Sequence, residues 1–176
     1  MKIVCIDAGH GGKDPGATTK TGIDEKDIAL TVALKVGALL TGYEIVYTRD
    51  EDVYVGLSER ALIANQAKAG LFVSVHCNSV DDESAHGMEV YHYTRASEAS
   101  KRAARVIYDK LLPVCGLRGR GVKSQDLAVL RETAMPAVLV ELGFISNPSD
   151  RAKLTNFTWQ DDAAEAIADG IVKALK

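Results

Sequence analysis

Short apolar runs alternate with segments of helical period from one end of the chain to the other. Ile3-Val4-Cys5-Ile6 is an unbroken apolar run that stops at Asp7-Ala8-Gly9, the pattern of a short buried strand. A glycine-rich loop follows, and Asp24 stands where it can cap a helix running to about Leu40. The polar positions of that helix form one stripe, Asp27, Thr31 and Lys35, so most of its circumference is predicted to be buried. Gly42 ends it, and Tyr43 to Thr48 reads as the next strand. Leu57 to Ala67 predicts a helix with Leu57, Ala61 and Ala64 on one side. Leu71 to Val75 predicts a strand apolar on both faces, as in a covered sheet, and Met88 to Tyr93 another strand. Ala99 to Leu112 carries Ala103, Ala104, Ile107 and Leu111 as a helical stripe, closed by Pro113. Leu127 to Leu130 reads as a short strand and Ala137 to Val140 as a central one. Asn147-Pro148 supplies an N-cap before a proline at the first helical position. A last amphipathic helix uses Ala164, Ile167, Ala168, Ile171 and Leu175.

Strands alternating with helices predict an α/β fold, one sheet with helices on both faces. No repeat or linker interrupts the pattern, so residues 1–176 read as a single domain. At 176 residues and 47% apolar content the chain can bury a core without staples. A net charge of −3 with only short Lys and Arg clusters argues against a nucleic-acid partner. Charge interrupts every apolar stretch before the ~18 residues of a membrane span. Cys5, Cys77 and Cys115 are odd in number and lack a Cys-x-x-Cys spacing, so they read as reduced, mostly buried thiols. The short apolar run after Lys2 is no secretory signal. The expectation is synthesis in the cytoplasm followed by release, or export as part of a longer protein.

Candidate chemistry sits where strands end. His10 follows the first strand, His76 follows Leu71 to Val75, and Glu141 follows Ala137 to Val140. Open α/β sheets form their sites outside the carboxyl ends of strands, so parallel neighbours would bring these groups into one crevice. Glu25, in the first turn of a helix that begins near the same crevice, is a fourth candidate. Two imidazoles and a carboxylate are a common ligand set for catalytic zinc, with a fourth position left for water. An unpaired carboxylate at Glu141, among the apolar residues Val138 to Phe144, would be costly unless paired, metal-bound or held for proton transfer. The loop Gly9-His10-Gly11-Gly12 lacks the Lys-Ser/Thr ending of a phosphate loop and does not fit the dinucleotide fingerprint. Its glycines instead let the backbone turn tightly, so that the His10 ring can face a ligand. His86, in a polar loop, and His92, within a strand, stay outside the candidate set.

Six blocks, in order and at fitting distances, resemble the zinc-dependent N-acetylmuramoyl-L-alanine amidases of the amidase 3 family. They are Asp7-Ala8-Gly9-His10-Gly11-Gly12-Lys13-Asp14-Pro15-Gly16-Ala17; Gly22-Ile23-Asp24-Glu25-Lys26; and Thr48-Arg49-Asp50 with Leu57, Arg60, Ala64 and Asn65. The others are Ser74-Val75-His76-Cys77-Asn78, Arg120-Gly121-Val122-Lys123, and Pro136 to Asn147. The resemblance implies a twisted, mostly parallel six-stranded sheet. It also implies cleavage of the amide between the lactyl group of N-acetylmuramic acid and the L-alanine of the peptidoglycan stem peptide. Carried over, His10, Glu25 and His76 would hold one Zn²⁺ per chain and Glu141 would be the catalytic carboxylate. Asp7 and Asn78 are expected to orient the ligands, as residues behind zinc ligands do, although Asp7 could equally cap the following loop.

Two departures from the family carry expectations of their own. Some members hold an inhibitory helix in mid-domain, and residues 77–88, between His76 and Glu89, leave no room for one. The chain is therefore expected to act on peptidoglycan in the cell wall without an activator protein. Members also often end in a wall-binding module, whereas this sequence ends at its last helix. The competing readings are a zinc peptidase cutting within the stem peptide and a non-catalytic peptidoglycan-binding module.

Overall fold

The computed structural model describes residues 1–176. Six strands form one sheet: β1 (Ile3–Ala8), β2 (Glu44–Tyr47), β3 (Leu71–Asn78), β4 (Met88–Tyr93), β5 (Gly119–Gln125) and β6 (Ala137–Phe144). Six helices complete the α/β fold: α1 (Glu25–Leu39), α2 (Leu57–Gln66), α3 (Glu98–Cys115), α4 (Ala128–Arg131), α5 (Pro148–Leu154) and α6 (Phe157–Ala174). The strand order is β2-β1-β3-β6-β4-β5. Every pairing is parallel except that of β4 with β6.

The two faces of the sheet are covered unequally. On one, α1, α3 and α6 close over a cluster of 32 buried residues that includes Val32, Ile107 and Ile167. On the other, α2 and α4 cover only 8, among them Phe72, Leu130 and Leu139. Side chains alternate between faces along a strand, so register decides which residues share a face. His76 on β3 pairs with Glu141 on β6, and Glu141 pairs with Glu89 on β4. These three side chains therefore stand in a row on the thinly covered face, where β3 and β6 end.

Three expectations are corrected. Leu127 to Leu130 is not a strand: residues 128–131 form α4, which lays Val129 and Leu130 onto the sheet. The sixth strand is β5, which the apolar pattern passes over because its residues are Gly, Arg, Gly, Val, Lys, Ser and Gln. As an edge strand it has one neighbour, β4, and packs only Val122 against the main cluster. Pro113 does not close α3 but lies inside its last turn, and the helix ends at Gly116 with φ 57°. Cys5, Cys77 and Cys115 are free and buried, as their spacing predicts.

Candidate metal centre

The loop from β1 to α1 is held open by backbone geometry and two buried arginines. His10 has φ 60° and is followed by Gly11 at 127° and Gly12 at 56°. A non-glycine residue in the left-handed region is uncommon and persists only where its surroundings over-determine it. Here they do. Arg49 donates from Nε to Ala8 O (2.9 Å) and from Nη2 to Gly9 O (2.8 Å) and Lys26 O (2.8 Å). Arg60 donates from Nη2 to His10 O (2.6 Å) and from Nη1 to Ala8 O (2.6 Å). Chain turned this way carries the His10 ring back toward the first residue of α1.

Three donors converge there. Glu25 Oε1 lies 3.1 Å from His10 Nε2 and 2.9 Å from His76 Nδ1, and all three ligand atoms fall within 4.8 Å of one another. Donors at zinc–ligand distances around a tetrahedral ion sit about 3–3.5 Å apart, close to the separations Glu25 Oε1 makes with each imidazole. Two of the three side chains are also held from behind. His10 Nδ1 meets Asp14 Oδ2 at 2.9 Å, while Glu25 Oε2 accepts from Ala17 N at 3.0 Å. Glu25 Oε1 also accepts from Cys77 N at 3.0 Å.

Charge is balanced to match. Burial pushes the Glu25 carboxyl up, but hydrogen bonds and charge from His10 and His76 outweigh it and hold the group well below the usual carboxylate range. Burial pushes His10 down, and Glu25 and Asp14 overcome that and bring it to about 9. Glu141 behaves differently. Burial pushes it up to about 7, His76 opposes, and Glu25 and Glu89 add to the rise. Its Oε2 is buried and has no hydrogen-bond partner.

Two glycines are required by close approach. A Cβ on Gly9 would lie 2.2 Å from Cε1 of the His76 ring, and one on Gly16 would lie 2.6 Å from Glu25 Oε2. A cavity of about 160 Å³ opens beside the two imidazoles, lined by His10, Asp14, Tyr54, Leu57, His76 and Leu127 among others.

Asp7 and Asn78 occupy other positions than those expected of them. Asp7, fully buried, accepts from Thr48 Oγ1 (2.6 Å), Arg60 Nη1 (2.8 Å) and Ser74 Oγ (2.5 Å) and is hydrogen-bonded to neither imidazole. It anchors Arg60, and through it the loop that carries His10. Asn78 donates to Glu89 Oε1 at 2.7 Å and belongs to the neighbouring polar group on β4 and β5. The carboxylate behind a candidate ligand is Asp14, whose signal in the sequence is its place four residues after His10. His86 is exposed and bonds Ser84 O, and His92 bonds Tyr93 O.

Asp7→Asn is expected to cost about 3–5 kcal/mol at neutral pH, because it leaves Arg60 buried without its anion. Burial pushes Asp7 up, while Arg60, His76, Ser74 and Thr48 hold it below its ordinary 3.8. An acid depressed in the folded state contributes stability that is full above the unfolded value and is lost as pH falls through the folded one. Urea unfolding of both chains from pH 7 downward should show a gap that holds to about pH 4 and narrows below it. A gap independent of pH would remove the ionised carboxylate from the account.

The amidase 3 family model, described as N-acetylmuramoyl-L-alanine amidase, matches residues 4–173. The chain belongs to this amidase family. It is 46% identical over 182 residues to an endolysin of Bacillus phage SPP1, covering 99% of this chain and 66% of that one. The chain thus spans just under two thirds of the endolysin's length. Among solved amidases, the catalytic domain of CwlV from Bacillus (Paenibacillus) polymyxa var. colistinus superposes with a TM-score of 0.94 at 41% identity, covering 98% of this chain and 97% of that one. The CwlD amidase from Clostridioides difficile, solved in complex with the GerS lipoprotein, gives 0.94 at 32% identity, covering 99% and 98%. No helix of the chain is long and apolar enough to cross a membrane.

Proposed function

We propose that this chain hydrolyses the amide between N-acetylmuramic acid and L-alanine in peptidoglycan, using one Zn²⁺ held by His10 Nε2, Glu25 Oε1 and His76 Nδ1. The observation that carries this reading is the convergence of those three atoms beside the unpartnered Oε2 of Glu141. Bound zinc supplies a Lewis acid that polarises the scissile carbonyl and lowers the pKa of water. Asp14, bonded to His10 Nδ1, fixes the tautomer that leaves Nε2 free to ligate. Glu141 accepts a proton from the attacking water at Oε2 and delivers it to the alanine nitrogen as the carbon–nitrogen bond breaks. Burial raises its pKa to about 7, close to that needed by a group which must both take and return a proton.

Cys77 takes no part as a nucleophile. Burial holds its thiol well above the ordinary range, and its side chain lies in the main core on the opposite face from His76. Residues 79–87 join β3 to β4 directly, which supports an active site reached without an activator. The complex with GerS is a property of CwlD.

The test is a digest of purified peptidoglycan with and without a zinc chelator, scored for new amino-terminal residues. New N-terminal alanine that appears only without chelator is the expected result. New ends on another residue would favour a stem-peptide peptidase, and no new ends with zinc bound would favour a binding module. Gly9→Ala provides a further check, since its methyl group must displace the His76 ring. Zinc affinity, measured by competition with a chromogenic chelator, should fall about 10–100-fold while the fold persists. Unchanged affinity would show that His76 is not a ligand in the position seen.

A further inference from the structure

Glu89 stands next to Glu141 in the sheet, is only 1% exposed, and has no part in the chemistry above. Its Oε1 accepts from Asn78 Nδ2 (2.7 Å) and Tyr91 OH (2.8 Å). Its Oε2 accepts from Arg120 Nε at 3.0 Å and from Lys123 Nζ. One cation is enough to neutralise a buried carboxylate, and here two share a single oxygen. The group therefore carries a surplus positive charge.

Local backbone geometry brings that second cation in. Residues three apart on a regular strand point to opposite faces, so Arg120 and Lys123 would be separated. The β4–β5 register shifts between the pairs Met88–Gly119 and Val90–Val122, placing the two residues Arg120 and Gly121 opposite Glu89 alone. Gly121 has φ 92°, the left-handed region a bulge of this kind calls on glycine to supply. The bulge puts both cationic heads on the face that carries Glu141. Arg120 is further held by stacking over the Phe144 ring, 4.9 Å from its centroid. Its Nη2 donates to no group of the chain, and the side chains of Arg120 and Lys123 are 28% and 37% exposed. A charged fork, fixed in place with donors left over, faces solvent two strands from Glu141 and bonded to its neighbour Glu89.

We propose that Arg120 and Lys123 form a carboxylate subsite for the peptide half of the substrate, taking the α-carboxylate of the D-glutamate that follows the scissile L-alanine. This rests on the amidase reading and adds the direction in which the stem peptide lies, across β4 toward β5. The reach agrees. Adjacent strands are about 4.8 Å apart, so Glu89 on β4 is one spacing and β5 two spacings from the Glu141 strand, which places cationic heads that reach from β5 to Glu89 about 5–10 Å from it. In an extended peptide the carboxylate of the next residue lies about 7 Å from the scissile nitrogen. In the stem peptide D-glutamate is linked through its γ-carboxyl, so the α-carboxylate is the free group. Where that group is amidated the charge is absent, and the subsite discriminates between the two kinds of wall.

The experiment uses two N-acetylmuramoyl tripeptides ending in L-lysine amide, one with D-isoglutamate and one with D-isoglutamine at the second position. They differ only in the carboxylate. Binding of each to the zinc-loaded Glu141→Gln chain is measured by calorimetry, and cleavage of each by the unmodified chain is followed in parallel. The acid form should bind about tenfold more tightly than the amide, as a charge-assisted pair in partial solvent would give. Lys123→Met and Arg120→Met, made in that Gln chain, should each bring the preference to within about threefold, with thermal midpoints recorded as a check on folding. Equal binding of the two ligands overturns the proposal without recourse to any variant at the subsite. A preference that survives both substitutions overturns it as well. Should the acid preference hold while the unmodified chain leaves the muramoyl–alanine bond intact in both ligands, the subsite stands and the amidase reading falls.

Discussion

Glu141→Gln is expected to retain zinc in full and to lose turnover by about 10²–10⁴-fold, the range for removing a general base. Glutamine has nearly the same shape, so the sheet pairing of residue 141 with His76 and Glu89 is kept. What disappears is the ability to take a proton. The loss corresponds to roughly 3–5 kcal/mol of transition-state stabilisation, far above any packing effect of an isosteric change. Release of amino-terminal alanine from peptidoglycan gives the rate, and metal analysis of the same sample gives the occupancy. The pH profile adds a second reading. In the unmodified chain activity should climb as the carboxyl ionises, and the variant's residual activity should lack that limb. A glutamine variant with near-normal turnover would take Glu141 out of the mechanism.

His76→Ala should remove metal and activity together. Its ring supplies one of three donor atoms and is also a partner of Glu25 Oε1. With it gone, His10 and Glu25 remain as two donors, too few for a tight zinc site. After dialysis the variant should hold well under a tenth of the zinc bound by the unmodified chain, with no detectable release of alanine. Folding should survive, because the ring sits at the end of β3 rather than inside either apolar cluster. Full zinc occupancy in a folded His76→Ala chain would contradict the assignment of His76 as a ligand. The contrast with Glu141→Gln matters most. One change should separate catalysis from metal binding, and the other should abolish both.

Much of this was legible in the chain because the relevant signals are local. Buried strands announce themselves as apolar runs, so β1, β3 and β6 could be read directly, and with them the positions of His10, His76 and Glu141 at their ends. Edge strand β5 was hidden because one covered face and one neighbour ask little of its side chains. Leu127 to Leu130 reads ambiguously for the opposite reason: four apolar residues satisfy a strand or a short helix equally, and only packing against Phe72 and Leu139 decides. Asp7 shows the limit for polar groups. Its identity and its place at a strand end suit several roles, and Arg60, which fixes its actual one, comes 53 residues later. Asp14 behind His10 and the two cations on Glu89 depend on backbone turns, one with φ 60° and the other bulged, that no periodicity records.

The same bulge bears on how these molecules treat one another in solution. An edge strand exposes unpaired amide and carbonyl groups, a ready template on which a second sheet can dock. In β5 the regular ladder is broken at Arg120 and Gly121, and Lys123 adds charge two residues on. A neighbouring chain would meet an irregular, positively charged border that offers no long run of matched donors and acceptors. The irregularity that gathers two cations on Glu89 also guards this border of the sheet against self-association.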